Sequence, residues 1–116
     1  MESVLLVEDD PDIRESLGAF LESEGYEVDT AENGKEGLEH LEKKKPGLVL
    51  LDLMMPVMNG WHFLEEKKKE PPELSKVPVV VISAVPGNPY VPGALATMKK
   101  PIDLRRLMDF VELYCA

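Results

Sequence analysis

The sequence predicts an α/β domain in which a parallel β-sheet is covered by helices on both faces. Two short apolar segments without polar alternation, Val4–Val7 and Leu48–Leu51, are typical of strands buried on both faces. Apolar residues at helical spacing follow the first of these segments, between Pro11 and Gly25. Strands that alternate with helices along a chain favour parallel pairing, because each crossover helix returns the chain to the same edge of the sheet.

The length and the charge of the chain limit its function. With 116 residues, of which 44% are hydrophobic and 30% charged, the chain is predicted to form one domain over residues 1–116. Its net charge of −9 repels nucleic-acid backbones and anionic membrane surfaces. No apolar stretch approaches the ~20 residues of a membrane-spanning helix, and the first residues do not resemble a secretory signal. We therefore expect a cytoplasmic protein that binds neither nucleic acid nor membranes directly.

The first two helices have recognisable ends. Asp10 and Pro11 predict the start of the first helix, because Asp caps free backbone N–H groups and Pro is tolerated in the first turn. Gly25 predicts its end. A second strand is predicted over Tyr26–Ala31, and a second helix follows Asn33–Gly34. The three lysines that close this helix match the negative end of its dipole and are interpreted as a solvated helix end.

The third strand and the third helix surround an acidic residue. Leu48–Leu51 places Asp52 at the C-terminal end of a buried strand. The helix that begins near Gly60 is predicted to turn Trp61 and Leu64 toward the core.

Prolines mark the last third of the chain. Pro71–Pro72 is predicted to end the third helix, and Val77–Ile82 is the most strand-like segment of the sequence. Ser83 follows this fourth strand directly. The last helix is predicted over residues 101–114, with Asp103 as its cap. Its apolar stripe consists of Leu104, Leu107, Met108 and Val111.

Acidic residues follow two of the predicted strands. Glu8 and Asp9 end the first strand and Asp52 ends the third. Ligands of open parallel sheets bind outside the carboxyl ends of the strands, so these three carboxylates are expected to converge. Unpaired carboxylates raise one another's pKa values, and a hard cation such as Mg²⁺ would relieve the repulsion.

Lys100 adds a cation to this expected site. It lies after the fourth strand and before the last helix, where its ammonium could face the same pocket and hold a phosphoryl oxygen. Asp52 could then act as a nucleophile and form an acyl phosphate. Each acid by itself is more often a helix cap or a loop residue, so the hypothesis depends on the whole set.

Four separated segments resemble the receiver domain of response regulators in two-component signalling. In chain order they are Val4–Arg14, Leu50–Gly60, Val79–Ala84 and Lys100–Pro101. The resemblance covers essentially the whole chain, and each segment lies at the end of a predicted strand. It implies a flavodoxin-like, doubly wound sheet of five parallel strands in the order 2-1-3-4-5.

The resemblance also implies roles for single residues. Arg14 sets the register of the acidic pair, which falls on Glu8 and Asp9. The implied Mg²⁺ ligands are Glu8, Asp9, Asp52 and the backbone carbonyl of Met54. Asp52 resembles the phosphoacceptor, Ser83 and Lys100 the groups that contact the phosphoryl group, and Ala84 the small neighbour that leaves room for it. A cis peptide bond is implied at Lys100–Pro101.

The implied function is phosphorelay signal transduction. Asp52 would receive a phosphoryl group from a sensor histidine kinase, a phosphotransfer protein or a small phosphodonor. The resulting phosphoprotein would change its affinity for a downstream effector protein or domain. Such a domain catalyses only its own phosphorylation and dephosphorylation, so it is not expected to be an enzyme with a separate substrate.

Two features depart from the family pattern. Only 16 residues separate Ser83 from Lys100, a shortfall of about one and a half helical turns. The missing residues belong to Val85–Pro92, whose three prolines and one glycine predict a loop in place of the family's fourth helix. Thr97 occupies the usual place of an aromatic residue whose rotation reports phosphorylation.

The departures leave alternative functions open. One alternative is a pseudo-receiver, a protein-binding module that works through a static surface without phosphorylation. A phosphatase with an Asp nucleophile is less favoured, because Met54 stands where those enzymes keep a second acid.

Overall fold

A computed structural model describes residues 2–87 and 89–116. Asn88, which belongs to the predicted Val85–Pro92 loop, lies outside the described residues, as does Met1. The strands are β1 (Val4–Val7), β2 (Val28–Ala31), β3 (Leu48–Asp52), β4 (Val79–Ser83) and β5 (Ala96–Lys99). The helices are α1 (Pro11–Ser23), α2 (Gly34–Lys43), α3 (Gly60–Lys68), α4 (Pro72–Ser75) and α5 (Leu104–Cys115).

The five strands form one sheet in the order β2-β1-β3-β4-β5, and every neighbouring pair is parallel. The predicted α/β class and strand order are confirmed. Asp52 is in register with Ile82 of β4, and Ser83 is in register with Lys99 of β5. The carboxyl ends of β1, β3 and β4 therefore meet at one edge of the sheet.

The sheet separates two apolar layers. On one face, side chains of β1 and β3 pack with residues of α2 and α3, including Leu41, Phe63 and Leu64. On the other face, the alternate side chains of the same strands pack with residues of α1 and α5, including Leu17, Leu21, Leu107 and Val111. Strands buried on both faces explain why β1, β3 and β4 are continuous apolar runs.

Four helices begin at a side chain that accepts hydrogen bonds from the first turn. These caps are Asp10, Asn33, Asn59 and Asp103. Each such cap typically stabilises a helix by about 1 kcal/mol. Asp10 is thus a cap, as the sequence predicts. Among the described residues, none of the helices is long and apolar enough to cross a membrane.

Three predicted boundaries are wrong, and one helix was not predicted. The last helix starts at Leu104 and not at residue 101, because the Asp103 side chain caps it. Strand β2 starts at Val28 and not at Tyr26, because the Tyr26 amide bonds back to the Leu21 carbonyl at the end of α1. Strand β4 covers Val79–Ser83 and not 77–82, because the Val77 amide closes a turn on Leu74. Helix α4 was not predicted: Pro72 occupies its first position, where the absence of an N–H costs little.

The inward face of α3 also differs from the prediction. The helix begins at Gly60, so positions three, four and seven residues later point inward: Phe63, Leu64 and Lys67 are buried. Phe63 is fully buried, whereas Trp61 lies at the edge of the core and is only partly buried. In α5, Leu104 is exposed although it was assigned to the apolar stripe, and Cys115 is buried at the opposite end.

Candidate functional site

Three carboxylates meet at the carboxyl edge of the sheet. Glu8 follows β1 directly, Asp9 comes next, and Asp52 is the last residue of β3. One carboxylate oxygen from each residue lies within 4.8 Å of the others. Glu8 is 1% exposed and Asp52 is 5% exposed, so two of the three charges are almost removed from water.

A single ammonium group lies beside these acids. Lys100 Nζ is 3.0 Å from Glu8 Oε1 and 3.8 Å from Asp52 Oδ1. Burial alone would lower the pKa of Lys100, but the hydrogen bond to Glu8 and the charge of Asp52 raise it, so the side chain stays charged. Lys100 thus pairs more closely with Glu8 than with Asp52. Its peptide bond to Pro101 is cis, as the sequence resemblance implies.

The electrostatic state of Asp52 reflects this crowding. Burial, the hydrogen bond with Glu8 and the charge of Glu8 raise the pKa of Asp52 from 3.8 to about 7, and Lys100 opposes the rise. One ammonium cannot balance three carboxylates, so the site has an excess of negative charge when all are ionised.

The donor set fits a hard divalent cation. Carboxylate and carbonyl oxygens are the ligands that Mg²⁺ prefers, and Mg²⁺ usually binds through one or two carboxylates while it keeps several waters. Glu8, Asp9 and Asp52 supply the carboxylates. Among residues 2–87 and 89–116, no hydrogen bond has the Met54 carbonyl as its acceptor, which leaves that oxygen free to be a ligand. The Met54 side chain is 60% exposed and points away from the core.

Ser83 ends β4 and Ala84 follows it, at the same edge of the sheet as the acids. Ser83 is buried, and its Oγ accepts a hydrogen bond of 2.9 Å from the Val85 amide. The hydroxyl proton is therefore still available as a donor. Ala84 is exposed. The structure gives no contact between Ser83 and Asp52, although Ser83 is only one residue beyond the register partner of Asp52.

Arg14 has a structural role that the sequence did not reveal. Its Nη1 donates to the carbonyl of Glu8 at 2.9 Å and to the carbonyl of Asp9 at 3.3 Å. Its Nη2 lies 3.6 Å from Glu32 Oε1. Arg14 thus holds from α1 the backbone that carries the two acids. A basic residue one turn into the helix that follows an acidic pair is the signal that could have indicated this role.

The loop between β3 and α3 is tightly constrained. A Cβ at Gly60 would lie 2.8 Å from the carbonyl oxygen of Asp52 and 2.8 Å from Leu53 Cα, so only glycine fits. Val57 has a φ of 67°, which is strained for a β-branched residue. Strained backbone of this kind clusters at functional sites.

Comparison with known sequences identifies the family. A sequence model described as the response regulator receiver domain matches residues 4–112. The chain belongs to this family. It is a receiver domain of the two-component response regulators.

Individual relatives agree with this assignment. The response regulator Rre1 of Synechocystis sp. is 40% identical over 107 residues, which are 87% of this chain and 46% of the relative. The transcriptional regulatory protein GlrR of Escherichia coli is 37% identical over 114 residues, 94% of this chain and 25% of the relative. The chain therefore spans less than half the length of these two relatives.

A solved structure extends the similarity to the fold. The response regulator protein TrrA of Thermotoga maritima, in complex with Mg²⁺-BeF, has a TM-score of 0.85 and 31% identity. The alignment covers 98% of this chain and 99% of that chain.

The segment between β4 and β5 departs from the pattern that the sequence resemblance implies. The described residues 84–87 and 89–95 contain no helix, as the proline content of Val85–Pro92 predicts. The short helix α4 precedes β4, so it does not take the place of the helix that the family pattern has between β4 and β5. Thr97 lies in the middle of β5 and is in register with Val81.

Proposed function

We propose that this receiver domain accepts a phosphoryl group on Asp52. The observation that supports the proposal most strongly is the meeting of Glu8, Asp9 and Asp52 within 4.8 Å, with Lys100 Nζ 3.8 Å from Asp52 Oδ1. The proposed unit is the single domain over residues 1–116, and the proposed metal is Mg²⁺, held by Glu8, Asp9, Asp52 and the Met54 carbonyl. Bound there, Mg²⁺ supplies Lewis-acid stabilisation of charge on the transferred group.

The chain's own residues perform the transfer. A carboxylate oxygen of Asp52 attacks phosphorus and forms a P–O bond, while the P–N bond to the donor imidazole breaks. The leaving imidazole keeps the electron pair of that bond and takes a proton from solvent. A small phosphodonor would react in the same way, with its own P–O bond broken. Positioning and charge compensation account for most of the acceleration in such transfers.

Two residues would stabilise the phosphorylated state. The Lys100 ammonium would neutralise a phosphoryl oxygen, and the Ser83 hydroxyl would donate its free proton to another. The exposed Ala84 leaves space for the group beside Ser83. The phosphoryl group carries roughly −1.5 to −2 charge in place of the −1 charge of the ionised Asp52 carboxylate, so the site becomes more negative and Lys100 would shift its pairing from Glu8 toward the phosphoryl group.

The proposed partners follow from this chemistry. They are a sensor histidine kinase or a phosphotransfer protein as donor, and an effector protein or domain as receiver of the signal. We propose a cytoplasmic location, no direct contact with nucleic acid or membranes, and no catalysis beyond the domain's own phosphorylation and dephosphorylation.

The test is incubation with acetyl phosphate and Mg²⁺, followed by intact mass measurement. The wild type is expected to gain the mass of one phosphoryl group, and this gain should be absent with chelator. Asp52→Asn is expected to gain none, whereas Asp12→Asn, at an exposed acid of α1, should behave as the wild type does. A wild type that stays unmodified would refute the proposal.

One observation favours a second candidate function. Over its described residues, the segment between β4 and β5 forms no helix, and Thr97 replaces an aromatic residue. The family resemblance places both of these features at the output surface. A pseudo-receiver would bind its partner equally well in both states. Phosphorylation with no change in partner affinity would favour this candidate, whereas a change in affinity would exclude it.

A further inference from the structure

A lysine is buried at the edge of the sheet opposite to Asp52. Lys67 of α3 is only 4% exposed, and its Nζ donates a hydrogen bond of 2.7 Å to the Ser75 carbonyl. Burial lowers the pKa of Lys67. Over residues 2–87 and 89–116, no carboxylate forms an ion pair with it. A buried charge without a counter-charge is unfavourable, and an ammonium has three donors of which Ser75 takes one.

Lys67 borders a cavity of about 480 Å³, within the usual size range of small-molecule sites. Both Lys67 and Ser75 line it, together with the apolar residues Val77, Val79 and Leu95. Leu95 is 47% exposed, so the cavity is open to solvent on the side of the segment that replaces the missing helix. An ammonium beside an apolar wall is the arrangement that fits an organic anion.

The charge around this cavity is opposite to that of the whole chain. The net charge is −9, yet the lining contains Lys67 and Lys76 and no carboxylate. Lys76 also borders a neighbouring groove that contains Glu2 and Glu73, so its charge is shared. Lys67, in contrast, lines this cavity and does not line the neighbouring groove.

We propose that this cavity binds a small organic carboxylate. The carboxylate would pair with the Lys67 ammonium, and the apolar part of the ligand would contact Pro78, Ala94 and Leu95, the apolar lining residues that are at least partly exposed. Val79 begins β4 whereas Asp52 ends β3, so the cavity lies at the amino edge of the sheet, away from the acids. The site is therefore independent of phosphorylation at Asp52.

A structural role for Lys67 makes a different prediction. Ser75 is the last residue of α4, and a cation that only holds its carbonyl would stabilise the end of that helix. In that case the cavity would have no preference for an anion over a neutral molecule of the same shape.

Titration of the isotope-labelled, metal-free protein with benzoate, followed by amide NMR shifts, distinguishes anion binding in the cavity from a purely structural role of Lys67. Benzyl alcohol serves as the neutral counterpart, and sodium chloride keeps the ionic strength constant. We expect saturable shifts at residues 75–79 and 93–95, with benzyl alcohol at least about tenfold weaker. Unsaturable shifts, shifts centred on Asp52 and Lys100, or equal binding of benzyl alcohol would overturn the proposal.

Two matched variants add a second test. Lys67→Met keeps the apolar stem and removes the charge, and Lys68→Met removes the same charge from the exposed neighbouring position. Benzoate affinity is expected to fall at least about tenfold in Lys67→Met and to stay unchanged in Lys68→Met. Unchanged affinity in Lys67→Met would contradict the proposal. If Lys67→Met does not fold, the location of the shifts in the wild type decides.

Discussion

At the scale of single residues, the groups proposed for function at the acidic edge of this receiver domain lower its stability. Asp52 and Glu8 are both buried acids beside one lysine, and the burial of like charges opposes folding. Arg14 holds the backbone that carries Glu8 and Asp9, and Val57, in the loop after Asp52, has a strained φ. For three of these residues, a single substitution is expected to change stability or Mg²⁺ affinity in a direction that follows from the structure.

Asp52→Asn should stabilise the metal-free protein. The folded-state pKa of Asp52 is raised to about 7 from 3.8, so its contribution to stability is present at low pH and is lost as pH rises between these values. The variant is expected to exceed the wild type by about 1 to 2 kcal/mol near pH 8 and by less near pH 5. Thermal melts at both pH values measure this. Asp12→Asn is the exposed control, and a difference that does not grow with pH contradicts the prediction.

Arg14→Gln should weaken Mg²⁺ binding without abolishing folding. The substitution removes the two hydrogen bonds that orient the carbonyls of Glu8 and Asp9, and loss of such supporting contacts typically lowers metal affinity about tenfold or more. Calorimetric Mg²⁺ titration gives the affinity. Arg105→Gln, on the exposed side of α5, should bind as the wild type does. Equal affinity in both variants would show that Arg14 does not position the acids.

Val57→Gly should raise the free energy of unfolding by about 1 kcal/mol. Val57 is 76% exposed, so little packing is lost, while its φ of 67° becomes unstrained for glycine. Denaturant unfolding measures the change. Val57→Ala keeps a Cβ at the same φ and should gain clearly less; an equal gain from both would mean that the positive φ is not the cause.

At the scale of secondary structure elements, the segment between β4 and β5 differs most from the family pattern. It forms no helix over its described residues. Val91 and Ala94 instead pack against the α2 and α3 side of the core. Trp61 Nε1 donates a hydrogen bond of 3.1 Å to the Tyr90 carbonyl, which links this segment to the start of α3. Under the proposed function, a signal that leaves Ser83 would therefore have to pass along this loop.

Trp61→Phe should loosen this segment more than the rest of the molecule. An aromatic ring remains, although smaller, and the indole N–H that donates to the Tyr90 carbonyl is lost, so hydrogen exchange at Val91 to Ala94 is expected to increase several-fold while the core strands are unaffected. Exchange mass spectrometry measures this. Tyr90→Ala is the matched control, because the acceptor is a backbone carbonyl that the substitution keeps. Unchanged exchange in Trp61→Phe would contradict the prediction, and increased exchange in Tyr90→Ala alone would assign the order of this segment to the Tyr90 ring.

At the scale of the whole molecule, a two-layered apolar core supports a charged edge. The sheet buries side chains on both faces, and this supplies the stability that offsets the crowded acids. A ligand that binds only the folded site adds to that stability by mass action.

Mg²⁺ should therefore raise the melting temperature. At a concentration 100 times its dissociation constant, the expected gain is about 2.7 kcal/mol. A thermal melt with and without Mg²⁺ at constant ionic strength measures it, with potassium chloride as the control salt. Asp9→Asn should reduce the gain. An unchanged melt for the wild type would mean that the three carboxylates do not form a metal site.

The sequence by itself predicted most of the elements and their order, whereas the fifth strand was implied only by the family resemblance and α4 was not predicted. Continuous apolar runs are typical of strands buried on both faces, and Asp10 and Asp103 mark helix starts, so β1, β3, β4 and four helices were predictable. The proline content of Val85–Pro92 also determined the loss of a helix. These features depend on local backbone chemistry, which a sequence shows directly.

The convergence of Glu8, Asp9 and Asp52 was expected from the sequence, but only the tertiary structure decided how the groups around them pair. The pairing of Lys100 with Glu8 joins residues 92 positions apart. The Arg14 contact with the carbonyls of Glu8 and Asp9 depends on how α1 packs beside β1. Phe63 replaces Trp61 in the core because the exact start of α3 sets which side chains point inward. Lys67 is buried for the same reason, although its charge predicts exposure. Such outcomes depend on packing between distant segments, so no local pattern predicts them.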